Sequence, residues 1–301
     1  MKYILLLFIC LQVSAEETSQ VKTSPAPPGS EILLFDIQAD ISGGINLSSA
    51  INISGFKGYD SQPRFSKDGQ HIYYTHFEKD QMDIYQYDIS SGTNKPYLTT
   101  AESEYSPTPI PGKEGLSVVQ VDAKGDQYLV ILNNQLPKEK QAQRYSDLKQ
   151  VGYFNWTADG ILWSFILNDK NGGDMYQQDA SKKAVKVAEN IARSFITDKA
   201  AKQLYFADKN TQPWTIKSIN VKQAEAAMVM SLPIGVEDFT FDSKGRFWAG
   251  RGNTLFVSTD QKRWYIAHEF TDPDYHQITR VTTNPNADKI AIVFAEKDNL
   301  E

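Results

Sequence analysis

Few residues in this chain have the types and spacings that do chemistry. The four histidines are His71, His76, His268 and His276. His71 and His76 stand five apart in what reads as one strand, so strand alternation turns them to opposite faces and they cannot share an ion. His268 and His276 flank an expected turn, and neither lies in a zinc-ligand spacing. The one cysteine, Cys10, sits in an apolar N-terminal run. No serine occupies a Gly-x-Ser-x-Gly elbow, which removes that nucleophile geometry. Asp169 to Asp174 reads Asp-Lys-Asn-Gly-Gly-Asp. It lacks the alternating ligands and terminal Glu of an EF-hand loop, so a hairpin connection is expected there.

The elements that would have to position any site are short strands. Phe65-Ser66-Lys67-Asp68-Gly69 reads as the end of one strand and a tight two-residue turn at Asp68-Gly69, with a second strand starting at Ile72. Glycine supplies the positive backbone angle such a turn needs. Degenerate copies return at about 40–47 residues, the period of propeller blades. Trp156-Thr157-Ala158-Asp159-Gly160 and Phe241-Asp242-Ser243-Lys244-Gly245 match well, and Phe195-Ile196-Thr197-Asp198 matches with a longer turn. Ile110-Pro111-Gly112-Lys113 precedes the strand Leu116 to Val121, and Thr283-Asn284-Pro285-Asn286 precedes Ile290 to Phe294.

Most copies are followed by two further strand-like stretches, as in Asp83 to Ile89 and Pro96 to Thr99. Four strands at this spacing make a blade. After Phe294 the last hairpin lacks its outer strands, and Glu31 to Ile37 with Ile45 to Leu47 has the pattern to supply them. The expected fold is therefore all-β, a six-bladed β-propeller of four-stranded antiparallel blades. Its blades fall at about 56–100, 101–147, 148–190, 191–235, 236–277, and 278–301 joined with 31–55, so that the N-terminal strands complete the last blade and close the ring. The alternative is an ordinary β-sandwich with coincidental Asp-Gly turns, against which six registered copies and a fitting half blade argue. Gln141 to Gln150 and Val221 to Ala227 read as polar loops or short turns of helix.

Pro-x-Phe-Ser-x-Asp-Gly followed by Asp-Ile-Tyr-x-Tyr-Asp, at Pro63 to Gly69 and Asp83 to Asp88, resembles the repeat of the TolB-like (PD40, WD40-like) six-bladed propellers. The resemblance is strongest in the first blade and spans nearly all of the chain from Glu31, without the extra N-terminal α/β domain of TolB. It implies a free-standing propeller of that superfamily, to which the particular partners of TolB do not transfer automatically.

Val236 to Gly250 is similar to repeats of lactonase-type and sensor-type propellers, and the resemblance to six-bladed lactonases implies a calcium ion held at the inner strand starts. Glu237 and Asp238 stand at such a start. The other starts, Ser61-Gln62, Tyr105-Ser106, Gly152-Tyr153, Ile191-Ala192 and Thr279-Arg280, bring no second carboxylate, and Arg280 would oppose a cation. Ser258-Thr259-Asp260 with Trp264 resembles an Asp-box turn one residue short, without the arginine cluster and nucleophilic tyrosine of a sialidase. The aromatics Tyr73, Tyr85, Trp163, Phe206 and Trp248 fall at strand positions and are expected to pack between blades. Asp60, Tyr105, Tyr153, Arg193, Glu237, Asp238 and Arg280 stand at or just ahead of inner strands and would rim one mouth of the channel, with His276 nearby. Mixed charge with tyrosine makes a recognition surface rather than a hydrolytic centre.

Residues 1–15 read as a secretory signal: Lys2, an apolar run from Tyr3 to Leu11, and Val13-Ser14-Ala15 for cleavage. Ile9 before Cys10 is not the small residue of a lipoprotein signal. Residues 16–30 are a linker ending in Ser24-Pro25-Ala26-Pro27-Pro28-Gly29-Ser30, and 31–301 a single propeller domain. A net charge of −6 with no basic stripe makes nucleic acid a poor partner, so none is expected, and disfavours anionic membranes. The expectation is a periplasmic or extracellular monomer without an integral membrane segment. It would act as a non-catalytic scaffold that takes a protein or peptide partner of the cell envelope at the channel mouth, with no cofactor. The alternative is a lactonase-like or carbohydrate-active propeller holding a channel cation such as calcium.

Overall fold

A computed structural model of the protein describes residues 27–39, 44–55, 57–170, 172–198, 203–220 and 225–297; the expected signal and most of the linker lie outside them. Within these residues antiparallel strands follow one another through short loops. The N-terminal part supplies β1 (Ser30–Ala39), β2 (Ile45–Leu47) and β3 (Ile51–Asn52). A first meander runs through β4 (Asp60–Phe65), β5 (His71–Glu78), β6 (Gln81–Asp88) and β7 (Thr93–Leu98). A second runs through β8 (Ser103–Pro109), β9 (Leu116–Val121), β10 (Gln127–Leu132) and β11 (Ala142–Lys149). Next come β12 (Val151–Trp156), β13 (Leu162–Leu167), β14 (Gly173–Gln178), β15 (Ala184–Thr197), β16 (Leu204–Asp208), β17 (Thr215–Ile219) and β18 (Ala227–Ser231) in one continuous sheet. The chain then forms β19 (Phe239–Phe241), β20 (Phe247–Arg251), β21 (Thr254–Ser258) and β22 (Tyr265–Glu269), and last β23 (Ile278–Thr283) and β24 (Lys289–Ala295).

The seven-stranded sheet is two four-stranded units sharing β15. The first half of β15 pairs with β14 and its second half with β16, and Asn190, at φ 52°, marks the break between them. The N-terminal strand β1 pairs with β24 in continuous register from Ser30↔Ala295 to Asp36↔Lys289. Both β2 and β3 then pair with β1, at Ile37 to Ala39 and at Leu33 to Leu34; β3 was not foreseen.

The apolar run in β1 follows from burial on both faces. Ile32 and Leu34 pack with Ile72 and Tyr74 of β5. Leu33, Phe35 and Ile37 pack with Trp248 and Leu255 of the β19–β22 sheet. Strand alternation sends successive residues to opposite sides, so a strand between two sheets must be apolar at every position. Each such side chain contributes about 1.5–3 kcal/mol by leaving water. The core is thus divided into clusters between neighbouring sheets, with Trp163 and Phe206 in another of them.

Two expectations are corrected. The Asp68-Gly69 connection is not a two-residue turn: Ser66 N donates to His71 O across Lys67 to Gln70, and of these loop residues only Gly69 has a positive φ, 72°. Asp68 Oδ1 accepts from Ser66 Oγ and Gln70 N, at 2.5 and 3.0 Å, which fixes the longer loop. Gln141 to Gln150 holds β11 rather than helical turns, because its backbone completes the β10 edge while Tyr145 and Leu148 pack inward. Val221 to Ala227 lies mostly outside the described residues.

Candidate functional site

The first strands of the sheets lose regular pairing at corresponding places. Register shifts fall between Ser61 and Arg64 in β4, Tyr105 and Thr108 in β8, and Val151 and Tyr153 in β12. They recur between Ile191 and Phe195 in β15, and between Ile278 and Arg280 in β23. A bulge leaves a residue unpaired and re-aims its neighbours. Here the re-aimed side chains converge on a cavity of about 580 Å³, counting its open end, among the first strands.

At two of these shifts Gln62 and Ser106 take positive φ values of 58° and 55°, a region non-glycine residues rarely occupy. They hold each other there: Ser106 N and Oγ donate to Gln62 Oε1 at 2.6 and 3.1 Å, and Thr75 Oγ1 adds a third bond at 3.1 Å.

On the far side of the cavity Asp238, just ahead of β19, accepts from Ser194 Oγ at 2.8 Å and from Val281 N at 3.0 Å. Arg280 Nη1 lies 3.8 Å and Arg193 Nε 4.0 Å from its Oδ2. Arg193 Nη2 donates to Thr279 O at 2.9 Å. Arg280 Nη2 donates to the Tyr153 phenol at 3.1 Å. Arg64 also lines the cavity.

The electrostatics follow from this crowding. Burial pushes the Tyr153 phenol up, but Arg280 and Arg193 together more than offset it, and the net shift is below the ordinary tyrosine value. Burial alone would loosen the proton on Arg280, yet Tyr153 and Asp238 hold it above its ordinary value. Arg64 is shifted down by burial, opposed by Asp238 and reinforced by Arg280.

Four of the eight residues singled out from sequence meet here: Tyr153, Arg193, Asp238 and Arg280. Glu237 stands at the edge, with Oε2 3.9 Å from Arg193 Nη1 and its side chain 59 % exposed. Asp60 is elsewhere and fully buried, bound through Oδ1 to His76 Nδ1 at 2.8 Å; burial raises its carboxyl value and His76 opposes the rise. Tyr105 packs against the cluster of Val119, Leu129 and Val151. His276 lies ahead of β23, both ring nitrogens buried and without a hydrogen-bond partner.

Arg64, Gln62, Ser106 and Ser194 were missed. The available signal was the variable position of Pro63-Arg64-Phe65-Ser66, where an arginine precedes a core phenylalanine. Among the described residues no three His, Cys, Asp or Glu side chains stand together as a metal site, and no helix is long and apolar enough to cross a membrane.

No protein-family model matches the chain, and no curated protein matches it. Solved structures do. The chain is similar to a putative TolB from Agrobacterium tumefaciens, with a TM-score of 0.68 at 12 % identity over 89 % of this chain and 99 % of that one. It is similar to TolB from Acinetobacter baumannii, with a TM-score of 0.54 at 12 % identity over 89 % of this chain and 65 % of that one. It is also similar to a gluconolactonase from Xanthomonas campestris, with a TM-score of 0.58 at 12 % identity over 90 % of this chain and 98 % of that one. At such identity the likeness shows the β-propeller fold, common to proteins of different function.

Proposed function

We propose that the protein is a non-catalytic binding propeller of six blades. Its ring is closed by β1, and it takes a protein or peptide partner of the cell envelope at the mouth above the arginine-lined cavity. Support for the ring is that each first strand packs beside the next, from β4 through β8, β12, β15, β19 and β23, and β23 beside β4. The signal read in residues 1–15 supports export to the periplasm or beyond.

The observation that carries the binding reading is the state of Asp238. Its carboxylate is spent on Ser194 Oγ and Val281 N and flanked by two guanidiniums, so it is poorly placed to act as a general base. The remaining groups are donors and an aromatic, the make-up of a recognition site. The gluconolactonase likeness keeps a cation-dependent enzyme in view, but three guanidiniums against one lining carboxylate disfavour a channel cation.

The test is capture of partners from an envelope extract by wild type and by Glu237→Lys, a charge reversal at the exposed edge of the site. Selective loss of a captured protein with an unchanged melting temperature supports the reading. Calcium-dependent lactone hydrolysis by the wild type, or identical capture by both proteins, would overturn it.

A further inference from the structure

The cavity has a charge that the rest of the chain does not. Arg64, Arg193 and Arg280 face one lining carboxylate, Asp238, leaving two positive charges in excess, in a protein whose net charge is −6. A concave site of one sign with low-dielectric walls concentrates counter-ions.

Its donors are also unmet. The Nε of Arg193 is buried without a hydrogen-bond acceptor, because Asp238 Oδ2 at 4.0 Å is out of range. Among the described residues the Arg64 guanidinium has no hydrogen bond or ion pair, and its burial is opposed only at a distance by Asp238. Gln62 is pinned by its oxygen to Ser106 and Thr75, which leaves its –NH₂ as a further donor at the cavity wall. Burying charged donors unpaired is costly. Arg193 Nε is such a donor, and the half-buried Arg64 and the Gln62 amide stand with it on the wall of one cavity, an arrangement that a small acceptor-rich ligand would satisfy.

We infer that the cavity is a binding site for a small dianion of the phosphate or dicarboxylate class, held by Arg64, Arg193 and the Gln62 amide while Tyr153 and Asp238 keep Arg280 in place. The dianion matches the excess charge, and its oxygens accept from groups that have no acceptor in the protein. The inference goes beyond the partner-binding reading: a small anion can bind whether or not a protein docks at the mouth.

The experiment is calorimetric titration and thermal melting of the full mature chain with inorganic phosphate, sulfate and malonate, ionic strength matched with sodium chloride. At least one dianion is expected to bind one-to-one and raise the melting temperature beyond the chloride control, since a ligand specific for the folded state stabilises it. The ranking of phosphate against malonate separates the two classes. Arg64→Gln, which removes no hydrogen bond or ion pair among the described residues, is expected to weaken binding at least tenfold, whereas Lys67→Gln on the exposed hairpin loop leaves it unchanged. Melting temperatures that track ionic strength alone, or equal affinity in Arg64→Gln and wild type, would overturn the proposal. Neither outcome bears on partner capture.

Discussion

Arg280 holds Tyr153 in two ways at once: Nη2 donates to the phenol oxygen at 3.1 Å, and the guanidinium carbon lies 5.3 Å from the centre of the same ring. The first contact favours phenolate and the second is a cation–π contact, so together they fix a flat donor–aromatic wall on one side of the cavity. Other perturbed tyrosines, among them Tyr73, Tyr97 and Tyr205, are pushed up by burial; Tyr153 moves down.

One tyrosine should therefore ionise ahead of the rest in an ultraviolet pH titration, and Arg280→Gln should remove that early step. The linkage sign is that of a depressed acid. Ionisation of the phenol adds nothing to stability at neutral pH, begins to add as pH rises through its folded value, and adds fully above the unfolded value of about 10. Tyr153→Phe should melt below wild type already at pH 7, where it loses the Arg280 hydrogen bond, and the gap should widen in alkaline buffer. Equal alkaline losses would contradict the contact.

Arg64 and Asp238 should respond in opposite directions. Arg64→Gln removes an unpaired cation near Arg280 and should stabilise the ligand-free protein by about 1 kcal/mol, the usual gain when functional strain is relieved. Asp238→Asn leaves Arg193 and Arg280 without their shared counter-charge and should cost about 3 kcal/mol. Urea unfolding of both variants at low salt checks the pair, and a destabilised Arg64→Gln would show that Arg64 is satisfied after all.

The contrast between these residues and the strands reflects what each kind of signal encodes. Gly69, Gly160 and Gly245 all take positive φ, 72°, 83° and 80°, so a local backbone need wrote the repeat into the sequence. The run from Ile32 to Phe35 is apolar at every position because both faces are covered, and that too is local. Tyr153, Arg193, Asp238 and Arg280 were found because they lie near the expected strand starts. Arg64 was not, since the bulge after Ser61 re-aims it, and a bulge depends on hydrogen bonds such as Ser106 N to Gln62 Oε1 between residues far apart in sequence. Asp60 was placed on a rim by the same counting, but its strand begins inside the protein against His76 and not at an open edge.

Glu104 provides a pH test away from the cavity. It is fully buried in β8, with Thr100 Oγ1 and Gln120 Nε2 both donating to Oε1 and Oε2 left without a partner. Burial, opposed by those two bonds, pushes its carboxyl up to about 7. A raised acid stabilises the fold where it is protonated, so stability should be highest below the unfolded value and fall as pH rises to about 7, by at most about 3 kcal/mol. Glu104→Gln should melt with wild type at pH 4.5 or below and above it at pH 8. Calorimetry showing no crossover would mean that the carboxyl is ionised at little cost.

The N-terminal strand β1 gives the last test. Along β24, residues Lys289 to Ala295 pair with Ser30 to Asp36, and Ile32, Leu33, Leu34 and Phe35 are each at most 3 % exposed. A chain beginning after residue 55 would keep the β23–β24 hairpin but leave β24 as an unpaired edge with apolar faces on both sides. Such an edge recruits another strand. The truncated protein should dimerise or aggregate on light scattering, and a peptide of residues 30–55 added in trans should restore the monomer and its melting temperature by strand addition. An Ile32→Glu peptide should fail, because position 32 faces the cluster of Ile72 and Tyr74 and a buried unpaired carboxylate costs more than the backbone bonds return. A truncated chain that stays monomeric with unchanged melting would show that the last sheet does not need β1, and would remove the physical basis for a ring closed by the N-terminal strand.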